Sequence, residues 1–114
     1  MAIGHLASGE VASIVALGSA LAHTPTTAIF KDERLEAMRI VLPAGKRMPR
    51  HAVDGPITIQ CIEGEVDLAV GGVGRTLRAG DLLYLAGGVP HDLTAVADAS
   101  LLVTIALLPP ARPD

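Results

Sequence analysis

Apolar and polar positions alternate over short distances along the chain, and most apolar runs keep a two-residue period. Val66, Leu68 and Val70 alternate with Glu65, Asp67 and Ala69, the pattern of a strand buried on one face. Leu101, Val103, Ile105 and Leu107 repeat it near the C-terminus, with Thr104 on the opposite face. Leu35–Leu42 begins mixed and turns apolar in its second half, while Ile57–Ile62 is rich in β-branched residues that suit a pleated surface. Asp81–Leu85 and Leu93–Ala97 are shorter runs with the same reading. Turn signals separate these runs at Pro43–Gly45, Asp54–Pro56, Glu63–Gly64, Gly71–Gly74, Ala79–Asp81 and Gly87–Pro90. Short strands at such regular spacing predict an all-β antiparallel sandwich or barrel.

The N-terminal part departs from this rhythm. Val11–Leu17 lies between Gly9 and Gly18 and is rich in Val and Ile, which predicts a strand. Gly18–His23 predicts a short helical turn, stopped by Pro25. The tail Pro109–Asp114 carries three prolines and is expected to lie loose on the surface. The chain therefore divides into N-terminal strands and a turn over 1–34, a barrel over 35–108 and a tail over 109–114. It shows no internal repeat and no linker.

Composition narrows the function classes. With 114 residues, half of them hydrophobic and 18% charged, the chain suits one compact domain rather than a disordered segment. The net charge of −3 offers no basic surplus for phosphates, and Phe30 and Tyr84 are the only aromatic residues on which bases could stack. Nucleic acid is therefore not an expected partner. The apolar runs Val11–Leu17 and Leu101–Leu108 are far shorter than the roughly 20 residues of a membrane helix. A single cysteine, Cys61, rules out an internal disulfide. No basic segment precedes an apolar run at the N-terminus, so a cytoplasmic protein is expected.

Two spacings are more specific. Gly45, five residues, His51, and later Gly64 form the first. Gly80, five residues, Ala86, one residue, Gly88, two residues and His91 form the second. Together they resemble the two signature motifs of the cupin superfamily, in the short arrangement of small single-domain, RmlC-like cupins. The resemblance covers Leu35 to Leu108 and implies a double-stranded β-helix, the jelly-roll barrel. It also implies where a metal would sit, since metal-dependent cupins hold one divalent ion with three histidines and a glutamate inside the barrel.

The departures from those motifs bear on function. Val53 stands at the second histidine position of motif one, Ile57 at the glutamate, Ala86 at the proline and Ala95 at the asparagine of motif two. Only His51 and His91 are retained from the ligand set. Two imidazoles make a weak site for zinc, iron, nickel, manganese or copper unless a third group joins. Cys61 shares the face of Ile57 by alternation and is the candidate third ligand; Gln60 points to that face only if a bulge intervenes. No cofactor is expected, and a divalent metal only on those terms.

The same substitutions make the expected chamber apolar. Val53, Ile57, Ile59, Cys61 and Leu93 would line it, with His51 and His91 as polar handles for a small organic ligand. The leading expectation is thus a small-molecule-binding cupin without turnover. The alternative is an enzyme of the dioxygenase, isomerase or polyketide-tailoring kind, with His51 and His91 as acid and base. A structural or sensory dimer with a filled barrel is the third reading. The basic cluster Lys46, Arg47 and Arg50 reads as a solvated loop, Glu63 and Glu65 as solvent-facing hairpin residues, and Asp81 as a turn residue bonding nearby N–H groups. Gly9–Leu17 and Ala28–Phe30 are too apolar for a bare sheet edge, so a homodimer built on them is expected.

Overall fold

A computed structural model describes residues 5–108. Nine strands form two antiparallel sheets. They are β1 (Thr27–Lys31), β2 (Leu35–Leu42), β3 (Arg47–His51), β4 (Ile57–Glu63), β5 (Glu65–Val70), β6 (Val73–Arg78), β7 (Leu82–Leu85), β8 (His91–Ala95) and β9 (Ala99–Ala106). One sheet has the order β1-β2-β9-β4-β7, the other β3-β8-β5-β6. This is the expected all-β jelly roll, with the expected helical turn present as a 3-10 helix over Gly18–His23.

Alternation explains how the sheets close on each other. In β4, Ile57, Ile59 and Cys61 are buried while Thr58 and Gln60 are only half-buried. In β5, Val66 and Leu68 face inward and Asp67 outward. The two inner faces meet in one core that includes Ile40, Leu42, Ile59, Leu68, Leu93 and Leu101. Burying side chains of this size contributes about 1.5–3 kcal/mol each. Two turns depend on glycine. Gly71 and Gly72 both have positive φ, 57° and 80°, as a type I′ hairpin turn between β5 and β6 requires. Gly64 has φ 81°, and a Cβ there would run into the carbonyl of Asp98.

Several local expectations need correcting. Residues 10–17 form no strand. A strand needs a ladder partner, and here the N–H groups of Leu17 and Gly18 donate to the Glu63 carboxylate instead, at 2.8 and 3.0 Å. The basic segment read as a loop contains β3, an edge strand in the sheet order, which is where Pro49 is tolerated. Val73 and Gly74 belong to β6 rather than to the turn. The run placed at Leu93–Ala97 starts two residues earlier and ends at Ala95. Glu63 is not a solvent-facing hairpin residue, since it caps backbone and also accepts the Ser100 hydroxyl. Asp81 does act as a turn residue, accepting the Arg78 N–H at 2.9 Å. The tail Pro109–Asp114 lies outside the described residues. Among those residues no helix is long and apolar enough to cross a membrane.

Candidate functional site

β3 ends on His51 and β8 begins on His91, and the antiparallel register sets these two residues opposite each other. Their ring centroids are 4.5 Å apart, tilted by 52°. His91 is only 4% exposed, whereas His51 is exposed. His91 follows the inward alternation of β8 with Leu93, whose partner Met48 packs against the core; a register shift in β3 between Met48 and His51 brings His51 opposite His91. The imidazole pair therefore sits at the end of the barrel where β3 and β8 meet.

Backbone contacts orient the two rings alike. Nδ1 of His51 lies 3.2 Å from the Pro49 carbonyl oxygen, and Nδ1 of His91 lies 3.1 Å from that of Val89. A carbonyl oxygen only accepts, so each Nδ1 carries the hydrogen and donates it. In the neutral ring this leaves Nε2 with a free lone pair, ready to accept a proton donor or bind a metal. Each histidine thus bonds the residue two positions before it, and a proline lies in each tripeptide (Pro49, Pro90).

Loops close this end of the barrel. The Gly88 N–H donates to the Val53 carbonyl at 2.7 Å. A Cβ on Gly87 would strike the carbonyl of Asp54, so the two loops touch backbone to backbone. Val53 and Val89 are half-buried and pack on the core. Ile57 is 5% exposed and Ile59 2%, and both join Cys61 and Leu93 in the continuous core. The residues expected to wall an apolar chamber are therefore packed against one another as core. The pocket that reaches His91 is a different one, a cleft of about 210 Å³ bounded by Arg50, Gly71, Gly72, Pro90 and Asp92.

Cys61 does not join the histidines. Its Sγ donates to the carbonyls of Glu63 and Gly64, at 3.4 and 3.7 Å, and its backbone pairs with Gly80 and Asp81. Burial pushes its thiol above the ordinary value; a hydrogen bond from the Glu63 backbone opposes this, and the charges of Asp81, Glu63 and Glu65 add to the rise. Gln60 lies on the outer face of β4, with no bulge to reverse it between Ile57 and Cys61. Among the described residues, no three His, Cys, Asp or Glu side chains gather around a common point. The metal that the family resemblance implies is not matched by this donor set: two imidazoles are present, and aliphatic side chains stand at the other two positions.

The structure adds a polar group that the sequence reading missed. Arg39 and Ser100 are buried, and Glu63 lies beside them. Burial pushes the Glu63 carboxyl up, but hydrogen bonds from Leu17, Ser100 and Gly18 and the charge of Arg39 hold it below its usual range. The available signal was a lone arginine between Met38 and Ile40 in an otherwise apolar half-strand.

Comparison with known proteins agrees with the fold. The family described as Cupin domain matches residues 38–106. An RmlC-like cupin from Shewanella frigidimarina superposes with a TM-score of 0.68 at 27% identity, over 78% of each chain. A conserved protein of unknown function from Streptococcus pyogenes gives 0.74 at 16% identity, over 96% of this chain and 99% of the other. An RmlC-like cupin from Desulfovibrio desulfuricans gives 0.67 at 24% identity, over 90% and 97%. No curated protein matches the sequence.

Proposed function

Because this chain belongs to the cupin domain family, we propose that it is a ligand-binding cupin whose polar anchor is the His51–His91 pair, and that it holds a small organic molecule without turnover. The observation that carries this reading is the shared orientation of the rings. With both Nδ1 atoms committed to carbonyl oxygens, each ring keeps an Nε2 acceptor, and the two rings lie 4.5 Å apart between centroids. That arrangement suits a hydroxylated ligand, such as a phenol, whose O–H donates to Nε2 while its carbon frame rests on Val53 and Val89. The ligand sits at the barrel mouth rather than deep inside. We place the protein in the cytoplasm, where its one thiol stays reduced, and as a homodimer joined through exposed apolar residues such as Val11 and Val15.

Catechol is a suitable probe. Titration should move the ring nitrogen signals of His51 and His91 in long-range proton–nitrogen spectra, saturably, and the response should vanish in His51→Ala and in His91→Ala. A stoichiometric transition metal in protein purified without chelator, lost in either variant, would overturn the reading. The packed interior supports a second reading, a structural or sensory dimer with no ligand, and ring signals indifferent to catechol and to related hydroxylated molecules would favour it.

A further inference from the structure

The segment before the 3-10 helix arches over the outer face of the five-stranded sheet between two anchors. At one end the Leu6 N–H donates to the Ile29 carbonyl at 2.9 Å. At the other, Leu17 and Gly18 donate to Glu63. Between the anchors the arch, β1 and β2 border an open groove of about 470 Å³, lined mainly by aliphatic side chains that include Leu6, Ile14, Leu17 and Ile29. Clefts of this volume hold small organic ligands.

Arg39 projects from β2 into that groove. It is 7% exposed, and its Nη1 has no hydrogen-bond partner among the described residues. A guanidinium stays charged at any pH the protein meets, and a buried N–H donor left without a hydrogen-bond partner is costly. The oxygens of Glu63 feel the Arg39 charge through space but are occupied by Leu17, Gly18 and Ser100. An aliphatic groove with one unsatisfied guanidinium donor calls for an anionic head on an apolar body.

We propose that this groove binds a small monocarboxylate with an apolar body, its carboxylate accepting from Arg39. A guanidinium fork matches a carboxylate in geometry. Glu63 lies within the field of Arg39, and Glu10 also lines the groove. With two acids near one arginine, a single added negative charge is tolerated better than the two of a phosphate monoester. The site is separate from the imidazole pair: Arg39 faces away from its strand neighbours Ile40 and Leu42 only at the outer side of the sheet, while Ile40 and Leu42 belong to the core.

Calorimetric titration of the full chain with octanoate tests this, with octanol and octyl phosphate as controls. Octanoate should bind once per chain, and each control at least tenfold more weakly. Arg39→Met should weaken octanoate at least tenfold with an unchanged circular dichroism spectrum, while His51→Ala and His91→Ala leave it unaltered. Should Arg39→Met not fold, Thr27→Phe, which stands opposite Arg39 in the β1–β2 register and lines the groove, should block octanoate in the same way. Absence of octanoate binding to the natural protein would overturn the proposal, as would octanol binding equally well or binding that survives Thr27→Phe.

Discussion

Glu63, the last residue of β4, accepts the Leu17 N–H at 2.8 Å and so ties the N-terminal arch to the barrel across forty-six residues of chain. The same carboxylate accepts Gly18 N–H and the Ser100 hydroxyl. One side chain thus supplies the backbone pairing that the apolar segment Val11–Leu17 would otherwise have had to find in a sheet.

Replacing Glu63 by Gln leaves one acceptor oxygen for three donors and removes the charge that strengthens them. The expected loss is about 2 kcal/mol, seen as a lower urea midpoint. The pH dependence has a definite sign. Because the folded carboxyl titrates below its unfolded value, its contribution is present above about pH 4.3 and disappears as the pH falls through the folded value. The gap between natural protein and Glu63→Gln should therefore narrow on acidification, and a gap that widens there would contradict the assignment.

This contact also shows where sequence reading stops. Alternation made β4, β5 and β9 legible, since a period of two survives whatever the partner strand is. The glycine and histidine spacings of the two motifs made the jelly roll legible as well. What alternation does not contain is partner identity. Val11–Leu17 has strand composition but no free ladder beside it. Arg47–His51 has loop composition, with a proline and three cations counting Lys46 just before it, yet it pairs with β8 as an edge. The outcome for Val53 and Ile57 was similarly hidden: aliphatic residues suit a lined chamber and a packed core equally well, and the separation of the sheets decides between them. His51 and His91 were legible as a pair because the motif fixes their register; the orientation of their rings was not, because it depends on the backbone carbonyls of Pro49 and Val89.

The two histidines differ in exposure, and substitution should reveal it. His91→Ala removes a buried ring and leaves the Val89 carbonyl without its donor, at a cost of about 1–3 kcal/mol. His51→Ala removes an exposed ring on an edge strand and should change stability by less than about 0.5 kcal/mol. Thermal unfolding of the two variants side by side checks this. Equal losses would mean that the exposed ring carries structural weight the geometry does not give it.

Cys61 is fully buried, with its thiol hydrogen directed at backbone carbonyls. The native thiol should react with an aromatic disulfide reagent at least a hundredfold more slowly than the same thiol in urea, with the residual rate set by opening of the fold. Its raised folded value gives a second sign. The contribution to stability is complete below the unfolded thiol value of about 8.5 and declines as the pH rises towards the folded value. Cys61→Ser should remove that alkaline decline.

Restoring the missing donors tests the argument about the metal directly. Val53→His with Ile57→Glu rebuilds the three-histidine and glutamate set that the cupin motif describes, around the imidazoles already present. Ile57 is core, so its replacement by a carboxylate should destabilise the metal-free variant by several kcal/mol, about 3 or more. Added nickel or zinc should then recover stability, by about 2.7 kcal/mol at a hundredfold excess over the dissociation constant. The natural protein offers two imidazoles and aliphatic neighbours, so its unfolding temperature should stay unchanged under the same additions. A natural protein that is stabilised as strongly as the double variant would show that a third donor reaches His51 and His91 after all, and the reading of this site as a ligand mouth would give way to a metal centre.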